Sequence, residues 1–261
     1  MIFKFGFWVH TDKMFSRPSS LADYNSKNIV VWMSMAFQAG SINAGGFLAC
    51  HRFVSHVTGF ATHFGAEVSY GHIGTAFGTL SVPAYFLLGA MLAAFFVDKN
   101  LTKGKPAKYT FMFLIISFSM FVIAVGGSLG LLGKFGESPD LISDYFLLSV
   151  LCLCSGIQNA TITSASGAVV RTTHLTGITT DLGIGIVRTI SASIPKPIRQ
   201  MENRANAMRS GIIVFFILGS LISSFCFLNF DYKGFFIPCL ISAMLAYISH
   251  SDKQPKEKHG T

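Results

Sequence analysis

The sequence predicts an all-α membrane protein. It reads as about six transmembrane helices plus two glycine-broken polar segments, re-entrant or kinked, in a 3+3 inverted repeat. Three observations carry this. Only 12% of the 261 residues are charged and 51% are hydrophobic, about half the ~25% charge of a soluble domain. A short polar stretch, SHVTGFATHFG at 55–65, returns as THLTGITTDLG at 173–183. The basic residues behind the net charge of +8 gather at the two ends and in two loops.

The chain opens with 1–27, which lacks a basic start leading into an apolar core and a small-residue cleavage site. It reads as a retained cytoplasmic or interfacial arm, with Phe3, Phe5, Phe7 and Trp8 available to lipid headgroups. Apolar runs follow at 28–50, 82–97, 109–132, 145–166, 211–230 and 234–249. Most approach the ~20 residues that cross a bilayer as a helix, and the shorter two reach it with flanking residues. Cys50, Cys152, Cys154, Cys226 and Cys239 all sit in or beside these runs. They show neither metal-ligand spacing nor a disulfide framework, so they read as buried thiols.

Three blocks recur in the same order. AGSINA at 39–44 matches SGIQNA at 155–160, pairing Asn43 with Asn159. The polar segments match next, and YFLLGAMLAAF at 85–95 then matches FFILGSLISSF at 215–225. The chain therefore divides into a first repeat at 28–133, an external loop at 134–143 and a second repeat at 144–250. A cytoplasmic tail follows at 251–261.

Charge sets the expected topology. Lys99, Lys103, Lys105 and Lys108 fill one connection, and Arg188, Lys196, Arg199, Arg204 and Arg209 fill another, read as a basic loop at 188–209. Lys4, Lys13, Arg17 and Lys27 lie in the head, and Lys253, Lys256 and Lys258 in the tail. All four regions fall on one side only if the polar segments dip in and return, leaving three crossings per half. Both termini are then cytoplasmic and the halves antiparallel. On this reading the basicity serves topology and anionic lipid headgroups, not nucleic acid.

The polar segments hold the candidate site. Its residues are Asn43, His56, Thr58, Gly59, Thr62 and His63 in the first half, and Asn159, His174, Thr176, Gly177, Thr180 and Asp181 in the second. Thr58 and Thr62, like Thr176 and Thr180, stand four apart and share a helix face. Ionisable groups at membrane depth line water-filled cavities or pair with one another. His63 and Asp181 occupy equivalent positions, so the antiparallel arrangement predicts that they lie near each other, or line one polar cavity, around the midplane, where they relay a proton or clamp the repeats. The bland reading of Gly and Thr is close helix packing, which suits LLGAMLA and ILGSLIS. No ligand set for a metal, exposed nucleophile or phosphate loop appears, so neither an enzyme nor a cofactor is expected.

GSINAGGF with HVTGF, and GIQNA with THLTG, make the chain similar to the YoaK family of bacterial multi-pass membrane proteins, a domain of unknown function, over about 28–250. That family has an aspartate-alanine pair where this chain has Asn43-Ala44, and Thr-Gly-Asn where it has Thr58-Gly59-Phe60. The resemblance implies a bacterial inner (cytoplasmic) membrane location and no particular reaction. Two functions fit the sequence. One is a transporter or channel for a small polar solute with its site at the Thr-Gly segments. The alternative is a non-transporting scaffold or sensor acting through the basic loop. The oligomeric state is left open.

Overall fold

The structure is a computed structural model, and it describes residues 24–137, 142–166 and 172–251. The head before Tyr24, with its aromatic residues, lies outside the described residues, as do 138–141 of the external loop and the basic tail after Ser251. Among the described residues every regular element is helical.

α1 (Ser26–Cys50) starts where the Asn25 side chain accepts from the Asn28 N–H, a cap that satisfies one of the first-turn donors. It ends as His51 turns into left-handed backbone at φ 52°. α2 (Val57–Ser69) is short, and α3 (Ile73–Ala93) runs on through a π turn at Ala94–Asp98 into α4 (Lys99–Thr102). α5 (Tyr109–Ser128) closes the first half. The second half repeats the order with α6 (Ile142–Ala165), α7 (Leu175–Ile190), α8 (Lys196–Phe230), a 3₁₀ turn at Asp231–Phe235 and α9 (Phe236–Ser251).

Four segments are long and apolar enough to cross a membrane: Ile73–Thr102, Tyr109–Ser128, Tyr145–Ala165 and Lys196–Ser251, the last holding both α8 and α9. α1 has the length, at 25 residues. It is not among the four, since Gln38, Ser41, Asn43 and its glycines lower its hydropathy, and it lies at the centre with most of its length buried.

Glycines bring the long helices together. A Cβ on Gly40 of α1 would fall on the Phe216 carbonyl of α8, and one on Gly219 of α8 on the Phe37 carbonyl of α1. The same exchange joins α6 to α3: Gly156 lies on the Phe86 carbonyl and Gly89 on the Leu153 carbonyl. Gly40 corresponds to Gly156 in the internal alignment, and Gly89 to Gly219. Each half thus packs its first long helix on the second long helix of the other half, at backbone contact distance that only glycine permits.

Further contacts give directions. Gly211 meets Met33 and Gly78 meets Tyr145, so α1 runs parallel to α8 and α3 parallel to α6. Thr110 bonds Ser249 at 3.1 Å and Ser117 bonds the Cys239 carbonyl at 3.0 Å, so α5 and α9 are antiparallel. α1 and α6 are antiparallel as well. Gln158 Nε2 donates to the Met35 carbonyl at 2.6 Å, and Gly46 lies against Leu151. Around these seams Trp32, Met35, Ile42, Met112, Ile116 and Leu151 form a single buried core.

The stretch at 188–209 corrects the sequence reading. It is no loop: α7 reaches Ile190 and α8 starts at Lys196, leaving 191–195 between them. Pro197 in the first turn suits a helix start. Glu202 then pairs with Arg188 of α7 and Arg209 of α8, both at 3.2 Å. Charges that looked like loop composition hold a helical hairpin closed.

Candidate functional site

The residues before α2 and α7 are tied to the long helices in the same way. Ser55 Oγ donates to Asn43 Oδ1 at 3.2 Å, and Thr173 Oγ1 donates to Asn159 Oδ1 at 2.8 Å. These bonds hold His56 and His174 at matching positions just ahead of each helix, with φ −98°, ψ 72° and φ −96°, ψ 60°. Each imidazole folds over its own first turn. A Cβ on Gly59 would run into His56 Nδ1, and one on Gly177 into His174 Nδ1.

The two glycines therefore do not break a helix. They make room for a ring. Gly65 and Gly183, expected to do the same, sit inside continuous helix with nothing near a Cβ. The sequence shows where the chain is polar and small, but not which glycine faces a neighbour.

Both short helices start beside the middle of a long helix and run back along it. Phe86, thirteen residues into α3 or about 20 Å along it, lies beside the start of α2. Phe64 of α2 contacts Phe77 nearer the beginning of α3, so α2 returns antiparallel along α3. α7 does the same along α8. Leu175 starts beside Phe216, and Gly185 reaches Asn206 and Arg209.

The two starts share one cavity of about 790 Å³. Its walls come in equivalent pairs: Asn43 and Asn159, Ser55 and Thr173, His56 and His174, Val57 and Leu175, Thr58 and Thr176, Phe86 and Phe216. Phe53 and Thr163 complete the lining, and Phe53 sits edge-on to His56 at 6.2 Å between ring centres. That places Asn43, His56, Thr58, Asn159, His174 and Thr176 together. Ser55, Thr173, Phe86 and Phe216 were missed as site residues, although the internal alignment pairs them. Recurrence in register was the signal for all four.

The remaining candidates fall elsewhere. Thr62 and Thr180 line no part of this cavity, and each hydroxyl bonds back to its own helix, at the Thr58 and Thr176 carbonyls. His63 and Asp181 are exposed. Each stands six residues beyond its cavity-lining helix start, and α2 and α7 leave the cavity along opposite partners. About 9 Å of rise on each side separates them, and no ion pair joins them among the described residues. The expected His63–Asp181 meeting is corrected: the equivalent imidazoles that line one cavity are those of His56 and His174, because only the helix starts converge. Glu67, near the end of α2, is held by His72 at 3.1 Å.

A second cavity of about 790 Å³ lies between α3, α5 and α6, with hydroxyls from Thr75, Ser81, Tyr85, Ser119, Tyr145 and Ser149. None of the predicted residues lines it.

Apolar helices of spanning length, seamed by glycine, define a membrane-like, all-helical protein. The chain belongs to the family described as "Protein of unknown function (DUF1275)", whose profile matches residues 31–248. This agrees with the YoaK resemblance read from the paired motifs. No curated protein and no solved structure matches the chain.

Proposed function

We propose that the protein is a transporter or channel for a small polar solute, and that the cavity between the starts of α2 and α7 is its central site. One observation carries the reading: a single cavity gathers residues from equivalent positions of both halves. In transporters built from inverted repeats, discontinuous helices meet near the bilayer midplane in this way. Six crossings by α1, α3, α5, α6, α8 and α9 accord with it, as do the opposite senses of α1 and α6. The basic connections then lie in the cytoplasm with both termini, in the inner membrane of a bacterium, where anionic headgroups are their partners.

This reading assigns no catalysis to the chain. The scaffold alternative draws less support. Of its basic residues, Arg188 and Arg209 are committed to Glu202, both at 3.2 Å, and Arg199 is partly buried, which leaves Lys196 and Arg204 as the exposed charges outside that pairing. The test is reconstitution into liposomes and a screen of small solutes under a pH gradient and under voltage. Solute passage above protein-free vesicles supports transport. Vesicles that stay tight to every solute, with folded protein in them, reject it.

A further inference from the structure

The cavity's hydrogen-bonding groups are unequally used, and the imbalance names a class of solute. The amide oxygens in the lining, those of Asn43 and Asn159, already accept from Ser55 and Thr173. That fixes each amide with its NH₂ turned away from the bond, two donors on each side. The Thr163 hydroxyl is spent on the Asn159 carbonyl at 2.7 Å. The Thr58 and Thr176 hydroxyls have no acceptor among the described residues, so their protons are available.

No carboxylate lines the cavity. Along the two short helices the acidic residues lie further out, Asp181 six residues past Leu175 and Glu67 ten past Val57. The helix starts add a second contribution. Neither α2 nor α7 has a side-chain cap. The Gly59 N–H turns back onto the His56 carbonyl at 3.0 Å, which leaves the N–H groups of Val57 and Thr58, and those of Leu175 and Thr176, at the positive ends of two helix dipoles. A cation would find two positive helix ends and no carboxylate to balance its charge. An anion finds donors from both halves.

We infer that the solute is a small monovalent anion, such as chloride, nitrate or a short carboxylate, held between the amide NH₂ groups of Asn43 and Asn159 and the starts of α2 and α7. The volume is large enough for the ion to keep part of its hydration. The inference rests on the transport reading for its flux, but its binding does not depend on transport.

Two experiments separate the two ideas. In the first, purified wild-type protein is heated in detergent at constant ionic strength, with nitrate or chloride replacing a bulky anion, and with potassium replacing a bulky cation. Stabilisation that saturates with the small anion, and not with potassium, is expected. In the second, proteoliposomes loaded with potassium chloride, nitrate or acetate are made permeable to potassium by valinomycin, and anion efflux is followed.

Efflux above empty vesicles is expected. Passage of potassium or glycerol without any of the anions would overturn the inference and leave transport standing. Anion stabilisation without any flux would keep the site and remove the transport reading. Absence of both stabilisation and anion flux would overturn the inference outright. The double variant Asn43→Asp, Asn159→Asp puts two carboxylates in the cavity, and anion flux should fall about tenfold or more. Unchanged flux from the folded variant contradicts the assignment. If the variant does not fold, the wild-type selectivity decides alone.

Discussion

At the scale of single residues, glycine has three different uses here, and they predict opposite responses to the same substitution. Gly65 and Gly183 are helical with open space where a Cβ would be. Gly65→Ala or Gly183→Ala should stabilise the protein by about 0.5–1 kcal/mol through helix propensity and leave flux unchanged, checked by thermal unfolding in detergent and by the vesicle assay. Gly59→Ala and Gly177→Ala push against His56 and His174. The ring must rotate away from the first turn, so stability should change by about 1 kcal/mol or less, the packing strain offsetting the propensity gain. Flux should fall while the melting temperature holds; a normal flux would show that the rings do not shape the path. Sequence reading found these positions through recurrence, since a polar pattern repeated among apolar runs stands out. It could not distinguish ring-facing from open glycines, because facing is a tertiary property. It failed at His63 and Asp181 for a related reason: equivalence in a repeat places residues symmetrically about an axis, not near it.

At the scale of elements, the glycine seams hold the two halves together, and they set a larger energy. A methyl group on Gly40 or Gly156 has a neighbouring helix's carbonyl oxygen in its place. Gly40→Ala or Gly156→Ala should therefore cost about 3 kcal/mol, at the upper end for overpacking, and lower the yield of folded protein. Equal losses at the two equivalent positions are expected; a neutral result at either would mean that its seam can open. The α7–α8 hairpin is weaker. Glu202→Gln removes pairs to Arg188 and Arg209 that are only partly shielded, at 55% and 20% side-chain exposure. The expected cost is about 1 kcal/mol or less, shrinking as salt is raised. The apolar runs made the long helices legible, and the matched motifs made their kinship legible. The helical start of α8 was hidden, because a basic, polar segment reads as a loop until its partner Glu202 is seen bridging two helices.

At the scale of the whole molecule, the proposed inverted arrangement predicts which turns are reachable from which side of the membrane. α2 and α7 leave a common cavity along helices from different halves, so the turn after α2 and the turn after α7 should open to opposite compartments. Tyr70, 75% exposed in the turn before α3, and Ser193, exposed between α7 and α8, mark these turns. The five native cysteines form no disulfide, and Cys50, Cys152, Cys154 and Cys239 are buried, so replacing all five with Ala gives a clean background at modest packing cost. In that background Tyr70→Cys should react with an impermeant maleimide added to intact cells. Ser193→Cys should react only after the membrane is opened, since it lies in the basic connection kept inside by the charge rule. A full crossing by either polar segment would move one of these turns to the other side. Labelling of both positions from one side would therefore refute the paired half-helices as elements entering from opposite faces, and with them the central placement of the Asn43–Asn159 cavity. Labelling from opposite sides leaves the cavity as the place where two paths, one from each compartment, meet.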